Sequence, residues 1–555
     1  MNLRLLCRLL GLVAILIGMC MFFSLPWAFP QFGGQWEYEQ YGFFGLLISI
    51  VVCFAVGIVL RYFGRRTHGD QLFRREAMAV VGLSWILATV LGALPFLFSG
   101  THRAPGIPMN AVDAMFEAQS GFSTTGATVL TELQDPALVP RSILFWRSST
   151  HFLGGLGIIV LFVAILGQGS AGKALMRAEM PGPSHSSQQA RMQHTAWVLV
   201  LVYTGLNAAL TLLLCLEGMS LFDGLCHAFG TMATGGFSTY NASVGYFMTN
   251  PQYNGPLIEM TITMFMFLAG TNFMLLYAIF IWKPMRMFGD VEWRTYVTII
   301  LLATVAIIGV GLYNHDFEAN GMVDTALVHS GEIADDSEIN DTDKIEAKPP
   351  ESTQSFAQAT RFSLFQVVSI MTTTGYCTDN FDVWCSFSRG VLLLLMFVGG
   401  CAGSTGGGLK VIRYILFTKV LRLEVEHAFH PNVVRPLRLG GKPVEDQTLR
   451  KNILVYFGLI MAIFAMSWLF TITFEPDTTW SDYGHKHEHK LIDAASCVSA
   501  TLNNIGPGLG VVGATQNYSN FTMPTKVLFI WLMMIGRLEI FVILILFIPK
   551  FWITK

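Results

Sequence analysis

The chain has 555 residues, of which 53% are hydrophobic and only 13% are charged, and its mean hydropathy is +0.52. Soluble domains are about a quarter charged, so this composition excludes a soluble globular protein and predicts an integral membrane protein. The formal net charge is −2, and Lys and Arg occur in short clusters between apolar runs. This pattern excludes the basic surface that nucleic-acid binding requires.

Ten apolar runs are long enough to cross a bilayer, because about 20 residues at a rise of about 1.5 Å each cover a hydrocarbon core of about 30 Å. The first follows Arg4 and Arg8, but it is too long for a signal peptide, so we expect a retained helix. The sequence therefore predicts an all-α protein with ten transmembrane helices. In chain order the runs are residues 5–28, 42–63, 77–98, 142–167, 195–217, 257–282, 294–313, 388–420, 450–474 and 525–548.

Positive charge predicts the orientation of these helices, since cytoplasmic loops retain Lys and Arg. Basic clusters follow the second, fourth, sixth and eighth runs, and Lys550 and Lys555 lie at the end of the chain. Both termini are therefore expected in the cytoplasm, and the remaining loops outside. One outer loop, the acidic insert at residues 315–355, is too poor in apolar residues to order itself. It either attracts cations or serves as a spacer.

Four of the outer loops contain a short, moderately apolar segment followed by a turn rich in Thr and Gly. The segments are residues 116–128, 228–239, 365–378 and 494–508. Segments of this length are typical of re-entrant helices rather than of crossings. Non-helical backbone at membrane depth is tolerated where it lines protein or a water-filled path. Rings of backbone carbonyls replace the hydration shell of K⁺ in potassium filters, so we predict a K⁺ filter at these turns.

The predicted filter takes three residues from each turn, centred on four glycines that allow the carbonyls to face an axis. One such turn would be weak support, but four recur at separations of 109, 140 and 131 residues, which indicates an internal repeat. K⁺ is the expected ligand and no covalently bound cofactor is expected. The residues are Thr124, Thr125 and Gly126; Ala233, Thr234 and Gly235; Thr373, Thr374 and Gly375; and Asn504, Ile505 and Gly506.

The repeat divides the chain into two leading helices and four pore units around one pore. The leading helices occupy residues 1–75. The third unit contains the acidic insert and a broken second helix. The pore units are residues 76–192, 193–292, 293–447 and 448–555.

Two features on the cytoplasmic side of the predicted filter are candidates for a gate. The eighth run is interrupted by small residues, which disfavour a helix because each glycine costs up to about 1 kcal/mol relative to alanine. We expect an intramembrane loop, with a close-packed kinked helix as the alternative. The second feature, Arg537, lies in the tenth run, where it either faces the pore or braces a loop carbonyl. The loop residues are Gly399, Gly400, Gly403, Ser404, Thr405, Gly406, Gly407 and Gly408.

The four turns, the run GGCAGSTGGGLKVIR at residues 399–413 and IGRLEIF at residues 535–541 resemble the Trk/Ktr/HKT superfamily of K⁺ transporters, and TrkH-type subunits of bacteria in particular. The resemblance covers nearly the whole chain. It implies a homodimer in the bacterial inner membrane, a pore in each protomer, and a loop across the pore just below the filter. It also implies control by a cytoplasmic ring of the nucleotide-binding regulator TrkA. The long acidic insert and the stretch HKHEH at residues 485–489 depart from the family pattern.

Other functions are less consistent with the sequence. A secondary transporter should have inverted repeats and a substrate pocket, and a membrane enzyme should have a cluster of ionisable residues within its spans. Residues 403–410 imitate a phosphate-binding loop, but no Ser or Thr follows Lys410. His485, His487 and His489 alternate with charged residues in a polar loop, so a transition-metal site is not expected there.

Overall fold

The fold was analysed in a computed structural model, which describes residues 2–65, 73–157, 192–317, 355–430, 438–439, 442–443, 448–482, 489–538 and 540–553. The described part is mainly helical, with only two short hairpins, as predicted. Its longer helices are α1 Leu3–Met21, α2 Trp36–Phe63, α3 Arg74–Phe98, α4 Ala111–Phe122, α5 Arg141–Leu156, α6 Met192–Leu216, α7 Leu221–Met232, α9 Gly255–Ala269, α10 Phe273–Phe280, α12 Val291–Tyr313, α13 Phe356–Met371, α14 Ser386–Leu395, α15 Val411–Phe429, α16 Thr448–Phe474, α18 Lys490–Leu502, α19 Met523–Arg537 and α20 Ile540–Leu546.

Short elements connect these helices. Four are single α-helical turns or little more: α8 Gly245–Thr249, α11 Met285–Phe288, α17 Thr478–Asp482 and α21 Pro549–Trp552. The 3-10 helices are Phe22–Ala28, Pro30–Phe32, Phe381–Val383 and Gly510–Val512. Two antiparallel hairpins pair β1 His102–Ala104 with β2 Ile107–Pro108 and β3 Arg438–Leu439 with β4 Lys442–Pro443.

Six of the described helices are long and apolar enough to cross a membrane, or seven if one bent pair counts as a span. They are α1, α2, α3, α6, α12 and α16, with the pair α9 and α10 as the seventh. The predicted count of ten transmembrane helices is therefore not confirmed. The six correspond to the two leading helices and to the first helix of each predicted pore unit.

Each pore unit contains a first helix, a short helix, a turn and a second helix. The short helices are α4, α7, α13 and α18, and the second helices begin with α5, α9, α14 and α19. The first two short helices begin at residues that suit an N-cap, since the side chains of Asn110 and Ser220 accept hydrogen bonds from the amides of Asp113 and Asp223. The unit boundaries themselves stay a prediction.

Three of the second helices are interrupted in the described part of the chain. The run at residues 257–282 is long and apolar enough to cross a membrane, but it is broken, because α9 and α10 meet at a bend of 106°. The predicted break in the eighth run is confirmed, since the chain between α14 and α15 is not helical. Helix α19 ends at Arg537, before α20 begins. The fourth run, residues 142–167, extends beyond the described part, which here ends after Gly157.

The leading hairpin packs closely and holds the first pore unit. A Cβ added to Gly11 of α1 would lie 2.7 Å from the Gly57 carbonyl oxygen of α2, so small residues allow the two backbones to approach. The buried carboxylate of Glu39 in α2 accepts hydrogen bonds from the amides of Arg141 and Ser142 at the start of α5, and from the Ser142 hydroxyl at 2.8 Å. A carboxylate there satisfies amides that have no partner within the helix.

The substitution Glu39→Ala should lower the stability of the protein by about 2 kcal/mol, because it leaves these buried amides without an acceptor. Thermal unfolding of the purified protein in detergent measures the effect. Glu37→Ala is the matched control, since Glu37 lies in the same helix turn but is exposed. Equal thermal midpoints for the two variants would show that Glu39 does not hold α5.

Candidate functional site

The four turns share one backbone conformation. We define turn 1 as residues 123–126, turn 2 as 233–236, turn 3 as 372–375 and turn 4 as 503–506. In each turn the first residue closes the short helix, the second has a positive φ, and the fourth is a glycine with a positive φ. The φ values are 54° and 83° for Thr124 and Gly126, 55° and 78° for Thr234 and Gly236, 62° and 83° for Thr373 and Gly375, and 56° and 90° for Asn504 and Gly506.

Each turn is held by the same hydrogen bond, in which the amide of its third residue donates to the carbonyl five residues earlier. The four bonds are Thr125 to Ser120 at 2.9 Å, Gly235 to Gly230 at 2.7 Å, Thr374 to Ser369 at 2.9 Å and Ile505 to Ala500 at 3.0 Å. A positive φ is costly for threonine, of order 1–3 kcal/mol. The repeated bond supplies part of the constraint that maintains it.

The structure shifts the second turn by one residue relative to the sequence prediction. The sequence aligned Ala233, Thr234 and Gly235 with Thr124, Thr125 and Gly126. The backbone instead aligns Gly236 with Gly126, because Gly236 has the positive φ and Ala233 closes the helix in the αR region. Two consecutive glycines made the register ambiguous in the sequence, and only the geometry distinguishes them.

The four turns form a closed ring. A Cβ added to any of the four glycines would lie no more than 2.6 Å from the carbonyl oxygen of the third residue in another turn. The contacts run once around the ring and return to turn 1. They are Gly126 to Gly235, Gly236 to Thr374, Gly375 to Ile505 and Gly506 to Thr125. The same four glycines line one open cavity of about 80 Å³, which also includes Arg147 and Tyr518.

Side chains that the sequence analysis did not identify connect neighbouring turns. Turns 1 and 2 are joined by His151, whose Nδ1 donates to the Gly121 carbonyl at 2.8 Å while its Nε2 accepts from the Phe237 amide at 3.2 Å. This pair of bonds requires the neutral tautomer with the proton on Nδ1. Turns 2 and 3 are joined by the Tyr376 hydroxyl, which donates to the Phe237 carbonyl at 3.1 Å.

The other two junctions use different groups. Next to turns 3 and 4, the Asp382 carboxylate accepts from the Gly510 amide at 3.0 Å. Asp382 lies in the 3-10 helix Phe381–Val383 between α13 and α14, and burial raises the pKa of its carboxyl to about 6. Turns 4 and 1 are joined by the Asn504 side chain, which donates to Thr125 Oγ1 at 2.9 Å and to the Met533 carbonyl at 2.8 Å.

The glycine-rich loop, residues 399–408, forms backbone hydrogen bonds with the break between α9 and α10. The Cys401 amide donates to the Gly270 carbonyl at 2.9 Å, and the Phe273 amide donates to the Gly403 carbonyl at 3.0 Å. Thr405 Oγ1 donates to the Ala269 carbonyl at 3.2 Å. Two interrupted helices thus satisfy each other's free backbone groups, which a membrane interior requires.

The loop also contacts the turns. The Gly407 amide donates to Thr373 Oγ1 of turn 3 at 2.9 Å. Cβ atoms added to Gly407 and Gly408 would lie 2.7 Å from Asn504 Cβ and 2.9 Å from the Asn503 carbonyl of turn 4. The loop therefore lies against the ends of short helices α13 and α18, on the helix side of the ring.

Two charged residues that the gate prediction did not include hold the loop. Glu292, in the first turn of α12, accepts from the amides of Ala402 at 2.7 Å and Ile412 at 3.1 Å. The buried Lys410 ammonium donates to the Gly406 carbonyl. One carboxylate thus binds both sides of the loop. Glu292 lies more than 100 residues before the loop along the chain, so no sequence pattern links the two.

Arg537 binds a loop carbonyl, which is the second of the two positions predicted for it from the sequence. Its guanidinium donates to the Thr405 carbonyl at 2.5 Å and to the Gly154 carbonyl at the end of α5 at 2.5 Å. It also lines a cavity of about 150 Å³ with Thr405 and Tyr203. Arg537 therefore joins the loop of unit 3 to the second helix of unit 1.

Among the described residues, no group of three or more His, Cys, Asp or Glu side chains is placed to hold a transition-metal ion. His485 and His487 lie outside the described residues. The acidic insert also lies outside them, apart from its first residues 315–317 and its last residue, 355.

The ring geometry predicts that Gly236→Ala is much more damaging than Gly218→Ala. Both glycines have a positive φ, but the nearest atom to a Cβ at Gly218 is 3.8 Å away, whereas a Cβ at Gly236 would collide with the Thr374 carbonyl. The free energy of unfolding should fall by about 2 kcal/mol more in Gly236→Ala than in Gly218→Ala, because overpacking adds to the backbone strain. Thermal unfolding in detergent compares the variants, and equal losses would contradict the ring contact.

Comparison with known proteins places the chain in a family. The family model TrkH, described as cation transport protein, matches residues 44–553. The chain is 36% identical over 507 residues to the Trk system potassium uptake protein TrkH of Salmonella typhimurium, with 91% of each chain covered. It is 31% identical over 560 residues to the protein of the same name in Halomonas elongata, with 100% of both covered.

A solved structure agrees. The crystal structure of the potassium transporter TrkH from Vibrio parahaemolyticus matches with a TM-score of 0.76 and 30% sequence identity, and the match covers 100% of both chains. The expectation of a transport protein rather than an enzyme is confirmed by these matches. The chain belongs to the TrkH family of cation transport proteins.

Proposed function

We propose that this chain is the pore-forming subunit of a potassium uptake system, in which K⁺ passes through the ring formed by turns 1 to 4. The observation that carries the proposal is the closed ring, in which the fourth residue of every turn abuts a carbonyl oxygen of another turn. The names of the Salmonella typhimurium and Halomonas elongata relatives, both potassium uptake proteins, support K⁺ as the ion.

The chemistry of the ring suits a dehydrated monovalent cation. The carbonyl oxygens of Thr125, Gly235, Thr374 and Ile505 meet the glycines of other turns around the ring, and carbonyl rings replace the water around K⁺ in filters. The short helices α4, α7, α13 and α18 all end at the turns. Their C-terminal partial negative charges therefore fall at the ring and favour a cation.

The driving force in this proposal is the membrane potential, which contributes about 2.3 kcal/mol per charge per 100 mV. The chain is a multi-pass protein of the bacterial inner membrane, with both termini in the cytoplasm. It forms a homodimer and is controlled by a cytoplasmic, nucleotide-binding ring similar to TrkA. The relatives are named as parts of a Trk system, which supports the existence of other components.

The gate in this proposal is the glycine-rich loop, and Arg537 stabilises its closed position. The loop touches turns 3 and 4 through Gly407 and Gly408, so a loop in this position would obstruct an ion that leaves the ring on that side. Arg537 holds Thr405 of the loop to Gly154 of α5. A regulator opens such a barrier only by binding the open form more tightly than the closed form.

Tracer flux into vesicles that contain the purified protein tests the ion path. The unaltered protein should admit K⁺ and Rb⁺ in preference to Na⁺. Gly126→Ser should lower the K⁺/Na⁺ ratio, because its side chain would displace the Gly235 carbonyl. Gly205→Ser is the matched control, since a Cβ there has no neighbour within 4 Å. An unchanged ratio in Gly126→Ser would contradict a filter at the ring.

Arg537→Ala should raise K⁺ flux in the absence of any regulator, because it releases the Thr405 carbonyl and weakens the closed position of the loop. The K⁺/Na⁺ ratio should change little, since the ring is intact. Arg413→Ala serves as control, because it removes another buried arginine, whose guanidinium lies 3.6 Å from the centre of the Tyr456 ring. Flux no higher than that of the control would make Arg537 a structural brace and move the gate elsewhere.

A further inference from the structure

A buried ion pair lies behind the ring, between turns 1 and 2. Glu117 of α4 and Arg147 of α5 are 0% and 2% exposed, and Arg147 Nε lies 2.6 Å from Glu117 Oε1. The two residues are 30 positions apart and belong to the same pore unit. Burying two charges is costly unless further hydrogen bonds satisfy them, so the remaining partners of the pair indicate what it holds.

Those partners are the residues that follow the glycines of two different turns. Glu117 accepts from Thr128 Oγ1 at 3.0 Å and from the Val129 amide at 3.1 Å, just after Gly126. Arg147 Nη1 donates to the Ser238 carbonyl at 3.0 Å, just after Gly236. Its guanidinium also lies 3.5 Å above the Phe237 ring. The pair therefore connects the chain segments that directly follow turns 1 and 2.

A second buried ion pair, which joins unit 4 to unit 1, lacks these contacts. Lys526 Nζ lies 2.6 Å from Asp113 Oδ1, and both side chains are as buried as those of the first pair. Asp113 is in the first turn of α4, far from the turn end of that helix, and Lys526 also donates to the Ser519 carbonyl at 2.8 Å. Arg103 Nη1 also lies 3.8 Å from Asp113 Oδ2. This pair therefore offers a comparison of similar burial, in which the bonded partners do not directly follow a ring glycine.

We propose that Glu117 and Arg147 are positioning residues for ion discrimination, which set the spacing of turns 1 and 2; this inference rests on the proposed function. The planar guanidinium holds three groups at once: the Glu117 carboxylate, the Ser238 carbonyl and the Phe237 ring. A lysine keeps the charge but lacks the planar fork, so it cannot reproduce all three contacts. With the spacing released, the Gly235 carbonyl beside Gly126 is free to move, and a smaller ion is accommodated more easily.

The test compares conservative variants in the tracer-flux assay on purified, vesicle-reconstituted protein. Glu117→Gln and Arg147→Lys should each lower the K⁺/Na⁺ ratio by about tenfold, the factor expected for a lost hydrogen bond of a charged group, while K⁺ entry persists. Asp113→Asn, the same amide replacement at the other pair, should lower the thermal midpoint but leave the ratio unchanged. Arg147→Lys distinguishes spacing from charge, since it retains the cation.

The outcomes separate the possible failures. If the unaltered protein prefers K⁺ and the K⁺/Na⁺ ratios of Glu117→Gln and Arg147→Lys equal its own, the inference is overturned and the proposed function stands. If Arg147→Lys keeps the ratio while Glu117→Gln loses it, the pair acts through charge rather than spacing, which also overturns the inference. If Asp113→Asn lowers the ratio as much as Glu117→Gln, general destabilisation explains both. A lack of K⁺ preference in the unaltered protein would overturn the proposed function itself.

Discussion

Backbone groups that leave a helix inside a membrane need partners, and this constraint organises the whole molecule. Water is absent from the hydrocarbon core, so each unpaired amide or carbonyl there costs several kcal/mol. The turns meet the requirement through one repeated amide bond within each unit, as in the bond from Thr125 to Ser120. That bond satisfies the amide of the third residue in each turn. The carbonyl oxygen of the same residue lies against the ring glycine of another turn.

The same constraint explains why loop and ring are in contact. The loop between α14 and α15 and the break between α9 and α10 are both non-helical, and they bond to each other through Cys401, Gly270, Gly403 and Phe273. Other loop amides bond to nearby acceptors, and the Gly407 amide bonds to Thr373 Oγ1 in turn 3. The loop is therefore in direct contact with residues of the ring.

The ring is not fourfold symmetric in its supports, although its backbone is. An ion pair and a histidine join turns 1 and 2, a tyrosine hydroxyl joins turns 2 and 3, an aspartate lies at turns 3 and 4, and Asn504 joins turns 4 and 1. A single chain can specialise each junction in this way, since each support is encoded separately. Substitutions at the four junctions should therefore differ in effect even where the backbones superpose.

The sequence revealed the four turns because Thr and Gly recur between apolar runs, and it revealed the loop because glycines disrupt a helix. It did not distinguish Gly235 from Gly236, since the order of two glycines is decided by φ and by the Thr374 carbonyl. The bend between α9 and α10 was missed because its partners lie in the distant loop. The pair of Glu117 and Arg147 was missed because only the fold brings residues 30 positions apart together.

We propose that the carbonyls of the four turns surround a permeating K⁺. The most direct measurement is anomalous scattering from crystals of the purified protein grown in Rb⁺, a heavier ion of similar size. We expect Rb⁺ on the axis of the ring, between the carbonyl oxygens of Thr125, Gly235, Thr374 and Ile505, and loss of that signal when Rb⁺ is replaced by Na⁺. Rb⁺ found only outside the ring, with nothing among these four oxygens, would contradict it.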